Sequence, residues 1–251
     1  MTRTIAMAGK GGTGKTSLAC LIVRYLVKRG GAPLLAVDAD PAANFGLGMA
    51  IEVNQTIGSV LAEFNANKGL IPPGLSKDAY LNIKFNNAIA ESQGVDLITM
   101  GRGEGAGCYC FPNNVLKSFI DNLMPNYKYM VMDNEAGLEH LSRGTTQHID
   151  DLVMVSNHSI KGVRTLNTVL QLVRELGLDI KRKWVVINQA PVRVDPLVNA
   201  ELARLGISPD IVVPLENLIL DYDLQQRSLL EMPEDSSAVS AIDEFMKKLL
   251  S

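Results

Sequence analysis

The sequence is short of the residues that build several classes of protein. It has three cysteines, three histidines and one tryptophan, and only 5% of its 251 residues are aromatic. Three cysteines do not make a disulfide framework in a chain of this length, which favours a reducing compartment and a metal, redox or packing role for each thiol. No apolar run reaches the length of a spanning helix and the N-terminus lacks a secretory signal, so we expect a cytoplasmic protein without a membrane span.

An excess of charge of one sign is also lacking. With 24 basic and 27 acidic residues, the formal net charge is -3. No general attraction to nucleic acid or to an anionic membrane follows from that balance, and nucleic acid is not an expected partner. Because 47% of the residues are apolar, the chain can bury one sizeable core, and we expect a single domain over residues 1–251.

Short apolar runs alternate with amphipathic stretches along the chain. The runs predict buried parallel strands at 3–8, 32–38, 95–100, 128–133, 151–156, 183–189 and 210–214. The stretches between them predict helices at 15–29, 57–65, 113–123, 138–148, 160–176, 195–204 and 236–250. This alternation is typical of an α/β fold, a doubly wound and mostly parallel sheet with helices on both faces. Residues 66–94 are predicted to be an insertion without an assigned role, with a short helix near 85–91.

A glycine-rich motif, GKGGTGKT, lies between the first predicted strand and the first helix. Its spacing is that of a P-loop, in which backbone N–H groups wrap a β-phosphate, the lysine reaches β/γ oxygens and the following hydroxyl holds Mg²⁺. Nucleotide binding is therefore the main functional prediction. The predicted phosphate-binding residues are Gly11, Gly12, Thr13, Gly14, Lys15, Thr16 and Ser17.

A second lysine, Lys10, directly follows the first glycine of the loop. The run Lys10-Gly11-Gly12-Thr13-Gly14-Lys15-Thr16 resembles the deviant Walker A motif of the MinD, ParA and nitrogenase iron protein class. In that class this lysine crosses a dimer interface to the partner's phosphates. The resemblance therefore implies an ATP-dependent homodimer in which Lys10 acts in trans.

Two acidic stretches follow later strands in the order of that class. AVDADP, residues 36–41, resembles switch I, which implies that Asp38 lies near the water shell of Mg²⁺ and that Asp40 orients or activates the attacking water. YMVMDNEAG, residues 129–137, resembles Walker B and switch II, with Asp133 for water-mediated contact with Mg²⁺ and Gly137 to sense the γ-phosphate. The predicted sets are Lys10, Lys15 and Asp40 for catalysis and Thr16, Asp38 and Asp133 for magnesium.

The end of the strand at 183–189 indicates which base is bound. Asn188 stands where this class reads adenine. A GTPase would carry Asn-Lys-x-Asp there, whereas the run here is Asn188-Gln189-Ala190-Pro191, without an acidic residue. ATP is therefore favoured over GTP, and by analogy with the class the backbone around Pro214 and Leu215 closes over the adenine.

Two cysteines stand one residue apart in GRGEGAGCYCFPN, residues 101–113. Residues i and i+2 of an extended segment project to the same side, so Cys108 and Cys110 can turn toward one metal ion. Two thiolates are half of a tetrahedral site. The missing ligands could come from a histidine, from solvent or from the same pair in a second chain, which a two-fold dimer would supply.

Most of the chain is similar to the CooC-type ATPases that mature nickel enzymes. The shared parts are GKGGTGKT, VDADP, the Cys-x-Cys motif and the run AGLEHLSRGT at 136–145. The resemblance implies that the cysteine pairs of two protomers bind Ni²⁺ or Zn²⁺ and that ATP hydrolysis is tied to nickel insertion. The implied client is the apo form of carbon monoxide dehydrogenase or acetyl-CoA synthase.

Two other functions remain open at this stage. A MinD/ParA-type positioning ATPase of the membrane-cycling kind would use residues 236–250 as an amphipathic membrane helix, although a helix packed on the sheet explains the same pattern. An iron-sulfur carrier related to the nitrogenase iron protein would need a cysteine after switch II. No cysteine follows Asp133 in this chain.

Overall fold

One sheet organises the part of the chain that the structure describes. This structure is a computed structural model, and it describes residues 1–67, 71–102, 110–135, 148–175, 177, 179–191 and 194–251, with the backbone alone at 110–113. Within these residues eight strands pair side by side. They are β1 Arg3–Gly9, β2 Leu34–Ala39, β3 Ala90–Ser92, β4 Val95–Thr99, β5 Tyr129–Asn134, β6 His148–Asn157, β7 Asp179–Ala190 and β8 Ile211–Pro214.

The sheet is parallel except at one edge. Its strand order is β3-β4-β2-β5-β1-β6-β7-β8, and among these described strands only the β3–β4 pair is antiparallel. The helices are α1 Lys15–Lys28, α2 Asn44–Met49, α3 Ile57–Ala66, α4 Lys77–Asn87, α5 Cys110–Leu123, α6 Ile160–Glu175, α7 Pro196–Arg204, α8 Asn217–Leu224 and α9 Ser237–Leu250, with 3-10 turns at Met124–Asn126 and Leu229–Glu231. The predicted doubly wound, mostly parallel sheet is confirmed.

Two hydrophobic cores lie on opposite faces of the sheet. Along β1, Ile5 and Met7 belong to one core and Ala6 and Ala8 to the other, because successive side chains of a strand point to opposite faces. The first core includes residues of α1, α2, α8 and α9, and the second includes residues of α3 to α7. A strand covered on both faces is apolar at nearly every position, which explains the unbroken runs in the sequence.

Two predicted helices need correction. The helix predicted near 85–91 is wrong in its second half, because α4 ends at Asn87 and β3 pairs with β4 in a hairpin. Gly94 supplies the left-handed backbone (φ +85°) that such a two-residue turn requires. Of the helix predicted at 138–148, residues 138–147 lie outside the described residues, and His148 is the first residue of β6 instead.

The C-terminal helix α9 packs on the sheet. Its apolar face is buried in the first core, where the ring of Phe245 meets the ring of Trp184 edge to face at a centroid distance of 5.7 Å. Ser236 caps the helix by accepting a hydrogen bond from the Val239 N–H group. Among the described helices, none is long and apolar enough to cross a membrane.

Candidate nucleotide site

The glycine-rich loop turns sharply between β1 and α1, and two neighbouring strands approach it closely. A Cβ atom on Gly9 would lie 2.2 Å from the carbonyl oxygen of Val155 in β6, and one on Gly14 would lie 2.3 Å from Nδ2 of Asn188 in β7. Gly14, the residue before α1, also has a left-handed backbone (φ +84°). Both positions therefore require glycine, and the loop can wrap an anion at the helix N-terminus.

Lys15 begins α1 and is buried beside the loop, with 6% of its surface exposed. Its ammonium group donates a hydrogen bond to the Lys10 carbonyl at 3.3 Å. Burial lowers the pKa of Lys15, whereas the charges of Asp133, Asp40 and Glu135 raise it. The ammonium group thus lies among carboxylates beside the loop, from where it can bind the terminal phosphates of a nucleotide.

The predicted magnesium residues are brought together. The Thr16 hydroxyl donates to Oδ2 of Asp133 at 2.5 Å, and Asp38 pairs with Asp133 in the β2–β5 register. The other carboxylate oxygen of Asp133, Oδ1, is buried and accepts no hydrogen bond from any described residue. Mg²⁺ prefers carboxylate, hydroxyl and water oxygens, and an orphaned buried carboxylate oxygen is costly unless a partner takes it. These residues therefore fit Mg²⁺.

Burial disfavours the charged form of both Asp38 and Asp133. Burial raises the pKa of Asp38 to about 7, against hydrogen bonds from the backbone N–H groups of Phe45 (2.8 Å) and Asp40 (3.1 Å). Burial also raises the pKa of Asp133 to about 6, although the Thr16 hydroxyl and the Lys15 charge oppose the shift. A cation between the strand ends would favour the charged form of both groups.

Asp40 follows the end of β2 and is partly exposed. Its Oδ1 accepts a hydrogen bond from the Ala42 N–H group at 2.8 Å, which folds the chain toward α2. Its charge contributes to the pKa of Lys15. The predicted base for the attacking water therefore lies on the same side of the sheet as the predicted phosphate ligand.

Asn188 ties β7 to the phosphate loop. Its side-chain N–H donates to the Thr13 carbonyl at 2.9 Å, and the residue is buried. Two residues further along β7, the Ala190 carbonyl accepts from the Leu215 N–H at 2.8 Å and Ala190 pairs with Pro214. The structure therefore places Pro214 and Leu215 beside the end of β7, and adenine recognition by Asn188 stays a prediction.

The segment that follows β8 combines a fixed backbone with an uncovered side chain. The Leu215 N–H bond extends the β7–β8 pairing by one residue beyond Pro214, while the Leu215 side chain is largely exposed. An exposed leucine at the edge where the nucleotide is expected can pack against the face of a base. Closure of this backbone over the adenine stays a prediction.

The remaining predicted residues divide into exposed and undescribed ones. Lys10, Gly11 and Gly12 are exposed on the loop, and Ser17 lies half-buried in the first turn of α1. Cys108 and Gly137 lie outside the described residues, and only the backbone of Cys110, the first residue of α5, is described. The trans-acting lysine and the cysteine metal site stay predictions.

Sequence reasoning missed two polar residues of this edge. Thr99 ends β4 opposite Asp38, and Asn134 ends β5 and donates to the Met7 carbonyl at 2.8 Å. The Thr99 hydroxyl and the Asn134 side-chain oxygen are buried and have no hydrogen-bond partner in the described part of the chain. The available signal is a polar residue at the end of each apolar run, VDLIT and YMVMDN.

Comparison with known proteins agrees with this geometry. A family model described as AAA domain matches residues 2–183. An uncharacterized ATP-binding protein of Methanocaldococcus jannaschii is 36% identical over 98% of each chain. The carbon monoxide dehydrogenase accessory protein CooC of Rhodospirillum rubrum is 30% identical over 69% of this chain and 70% of its own.

A solved structure shows the same fold. The septum site-determining protein MinD of Pyrococcus horikoshii, complexed with Mg-ADP, superposes with a TM-score of 0.72 at 20% identity, covering 99% of this chain and 96% of its own. The family match and the full-length relative together cover the phosphate loop, both switch stretches and the β7 end. The chain therefore belongs to the AAA domain family of P-loop ATPases, and its fold is that of MinD.

Proposed function

We propose that the protein is an ATP-hydrolysing metallochaperone that binds Ni²⁺, or Zn²⁺ at the same site, through Cys108 and Cys110 of two chains. It assists nickel insertion into carbon monoxide dehydrogenase or acetyl-CoA synthase. The observation that carries the proposal is the Cys-x-Cys motif in a chain that is 30% identical to a carbon monoxide dehydrogenase accessory protein. Thiolates suit both ions, so the supply of metal or the client enzyme determines which ion the site carries.

The described residues support the ATPase half of this proposal. Lys15 binds the β- and γ-phosphates, and Asp40 accepts a hydrogen bond from the attacking water and orients it. Thr16 and Asp133 would hold Mg²⁺, which when bound neutralises charge on the phosphate oxygens. Water attacks the γ-phosphorus and gives its proton to Asp40, the bond to the β-γ bridging oxygen breaks, and ADP and inorganic phosphate leave.

The part of the proposal that concerns the homodimer depends on Lys10. This lysine is exposed, and its carbonyl oxygen accepts hydrogen bonds from the side chains of Thr13 and Lys15. A second chain on a two-fold axis would bring each Lys10 to the other chain's phosphates and the two cysteine pairs to each other. Nucleotide and metal would then favour the same closed dimer, which couples hydrolysis to metal release.

The described C-terminal helix weighs against the membrane-cycling alternative. The side chains of Ile242, Phe245 and Met246 are at most 1% exposed in the first core. A membrane helix would have to withdraw this face from the sheet, and the apolar sheet residues left exposed to water would cost several kcal/mol, at roughly 1.5–3 kcal/mol for each large apolar side chain. The nickel proposal needs no such rearrangement.

Stoichiometric metal titration with mass measurement of the oligomer tests the proposal. We expect one Ni²⁺ per two chains, with the mass of a dimer, and loss of nickel binding in the Cys108→Ser/Cys110→Ser variant while ATP binding survives. Cys20→Ala is the matched control, because Cys20 is buried in the first core and its variant should bind nickel normally. One metal per monomer without a change in mass, or nickel binding that survives the double substitution, would refute the shared site.

A further inference from the structure

Gln189 has a backbone conformation that L-residues rarely adopt. Its φ angle is +56°, in the left-handed region, at the point where the β7–β8 register shifts between Ile187 and Ala190. A left-handed non-glycine residue costs about 1 kcal/mol or more and persists where the surrounding structure holds it in place. The β7 bulge therefore sets the direction in which this side chain leaves the strand.

The side chain lies over the phosphate loop. A Cβ atom built on Gly14 would be 3.6 Å from Nε2 of Gln189. The residue is exposed, and its side-chain amide makes no hydrogen bond within the described residues. The Gln189 amide is thus an N–H donor without a partner in the described part of the chain, and it lies near the start of α1. Its neighbours are fixed, because Asn188 bonds to the loop and Ala190 bonds to Leu215.

We propose that the Gln189 side-chain amide donates a hydrogen bond to the ribose of the bound nucleotide. The inference rests on the proposed ATP site, in which the phosphates lie at Gly14 and Lys15 and the adenine lies toward Asn188 and Leu215. The sugar joins these two parts, so it passes the donor that Gln189 holds. The same hydrogen bond explains why a strained glutamine occupies a position that glycine or asparagine would fill at lower cost.

Comparing the binding of ATP with that of tripolyphosphate, which has no ribose, distinguishes a ribose contact from a structural role of Gln189. We expect Gln189→Ala and Gln189→Gly to raise the Kd of Mg·ATP about three- to tenfold, the loss of one neutral hydrogen bond, and to leave the Kd of Mg·tripolyphosphate unchanged. Isothermal titration of wild type and variants gives both constants. In steady state the KM for ATP should rise while kcat changes by less than about twofold, because the bond is made equally in the ground and transition states.

The two substitutions and one control isolate the side chain from the backbone strain. Gln189→Gly removes the strain and should raise the Tm of the apo protein, whereas Gln189→Ala keeps the strain. Gln226, at φ +52° after α8, offers the matched control, since Gln226→Gly relieves similar strain and should leave ATP binding unchanged.

Equal weakening of ATP and tripolyphosphate would overturn the proposal, because Gln189 would then act on the loop rather than on the sugar. Wild-type ATP affinity in Gln189→Gly would overturn it as well. A failure of the ATP site itself would look different, because Lys15→Ala would then bind nucleotide as well as the wild type does. The nickel titration is independent of all these outcomes.

Discussion

Replacing Lys15 by alanine should lower ATP hydrolysis by about a hundred- to a thousandfold, the range for a lost group that stabilises transition-state charge. The ammonium group is a buried cation near the charges of Asp133, Asp40 and Glu135, and we propose that it binds the β- and γ-phosphates. Burial lowers the pKa of Lys15, so its charge is a net cost to the apo fold at neutral pH, and its removal should not lower the stability of the apo protein on electrostatic grounds. Phosphate release at saturating Mg·ATP and thermal unfolding measure the two effects.

Two further lysine variants make the Lys15 result interpretable. Lys77→Ala removes an exposed lysine at the start of α4 and should change neither quantity. Lys15→Arg keeps the charge but places a larger group in the first turn of α1, so hydrolysis should remain low. Hydrolysis by Lys15→Ala close to the wild-type rate would contradict the assignment of this lysine to the phosphates.

The Asp133→Asn variant should show opposite effects on activity and on apo stability. Hydrolysis with Mg²⁺ should fall by about a hundred- to a thousandfold, because the carboxylate that accepts from Thr16 and would hold Mg²⁺ is lost. The apo protein should become more stable at neutral pH, because burial raises the pKa of Asp133 from 3.8 to about 6. The gain should be on the order of 3 kcal/mol, the free energy that corresponds to a shift of this size.

The pH dependence follows from the direction of the shift. A raised folded pKa means that the contribution of Asp133 to stability is fully present below pH 3.8 and is lost as the pH rises through about 6. The gain in Asp133→Asn should therefore vanish at about pH 4 and be complete at about pH 7. Thermal unfolding of the apo protein across this range, with Asp235→Asn as an exposed control, measures the difference. A variant less stable than wild type at neutral pH would contradict the electrostatic account.

Most of the sheet was predictable because its strands are buried on both faces. Runs such as KYMVMD and DLVMVS are apolar at nearly every position, and their ends fell within a few residues of β5 and β6. β3 was not predictable, since Ala90–Ser92 is short and partly exposed and its pairing depends on the turn at Gly94. Local propensity favours a helix through these residues, but their pairing with β4 makes them a strand.

The candidate site was predictable where a motif fixes its chemistry. GKGGTGKT predicts the phosphate loop, and the acidic ends of β2 and β5 predict that Asp38 and Asp133 lie together, as they do, because parallel strands end at one edge of the sheet. The approach of Asn188 to the loop and the backbone of Gln189 were not predictable, because both depend on how β7 sits against its neighbours in space. No spacing in the sequence encodes such contacts.

Mixing two inactive variants tests most directly the claim that two chains share one nucleotide site. Lys10→Ala and Asp40→Asn should each abolish hydrolysis alone. If Lys10 acts in trans, one site of each mixed dimer has an intact Asp40 and an intact Lys10 from its partner, so an equimolar mixture should regain about a quarter of wild-type phosphate release. If the lysine serves its own chain, every site keeps one defect, and a mixture with no activity above the single variants would contradict the shared site.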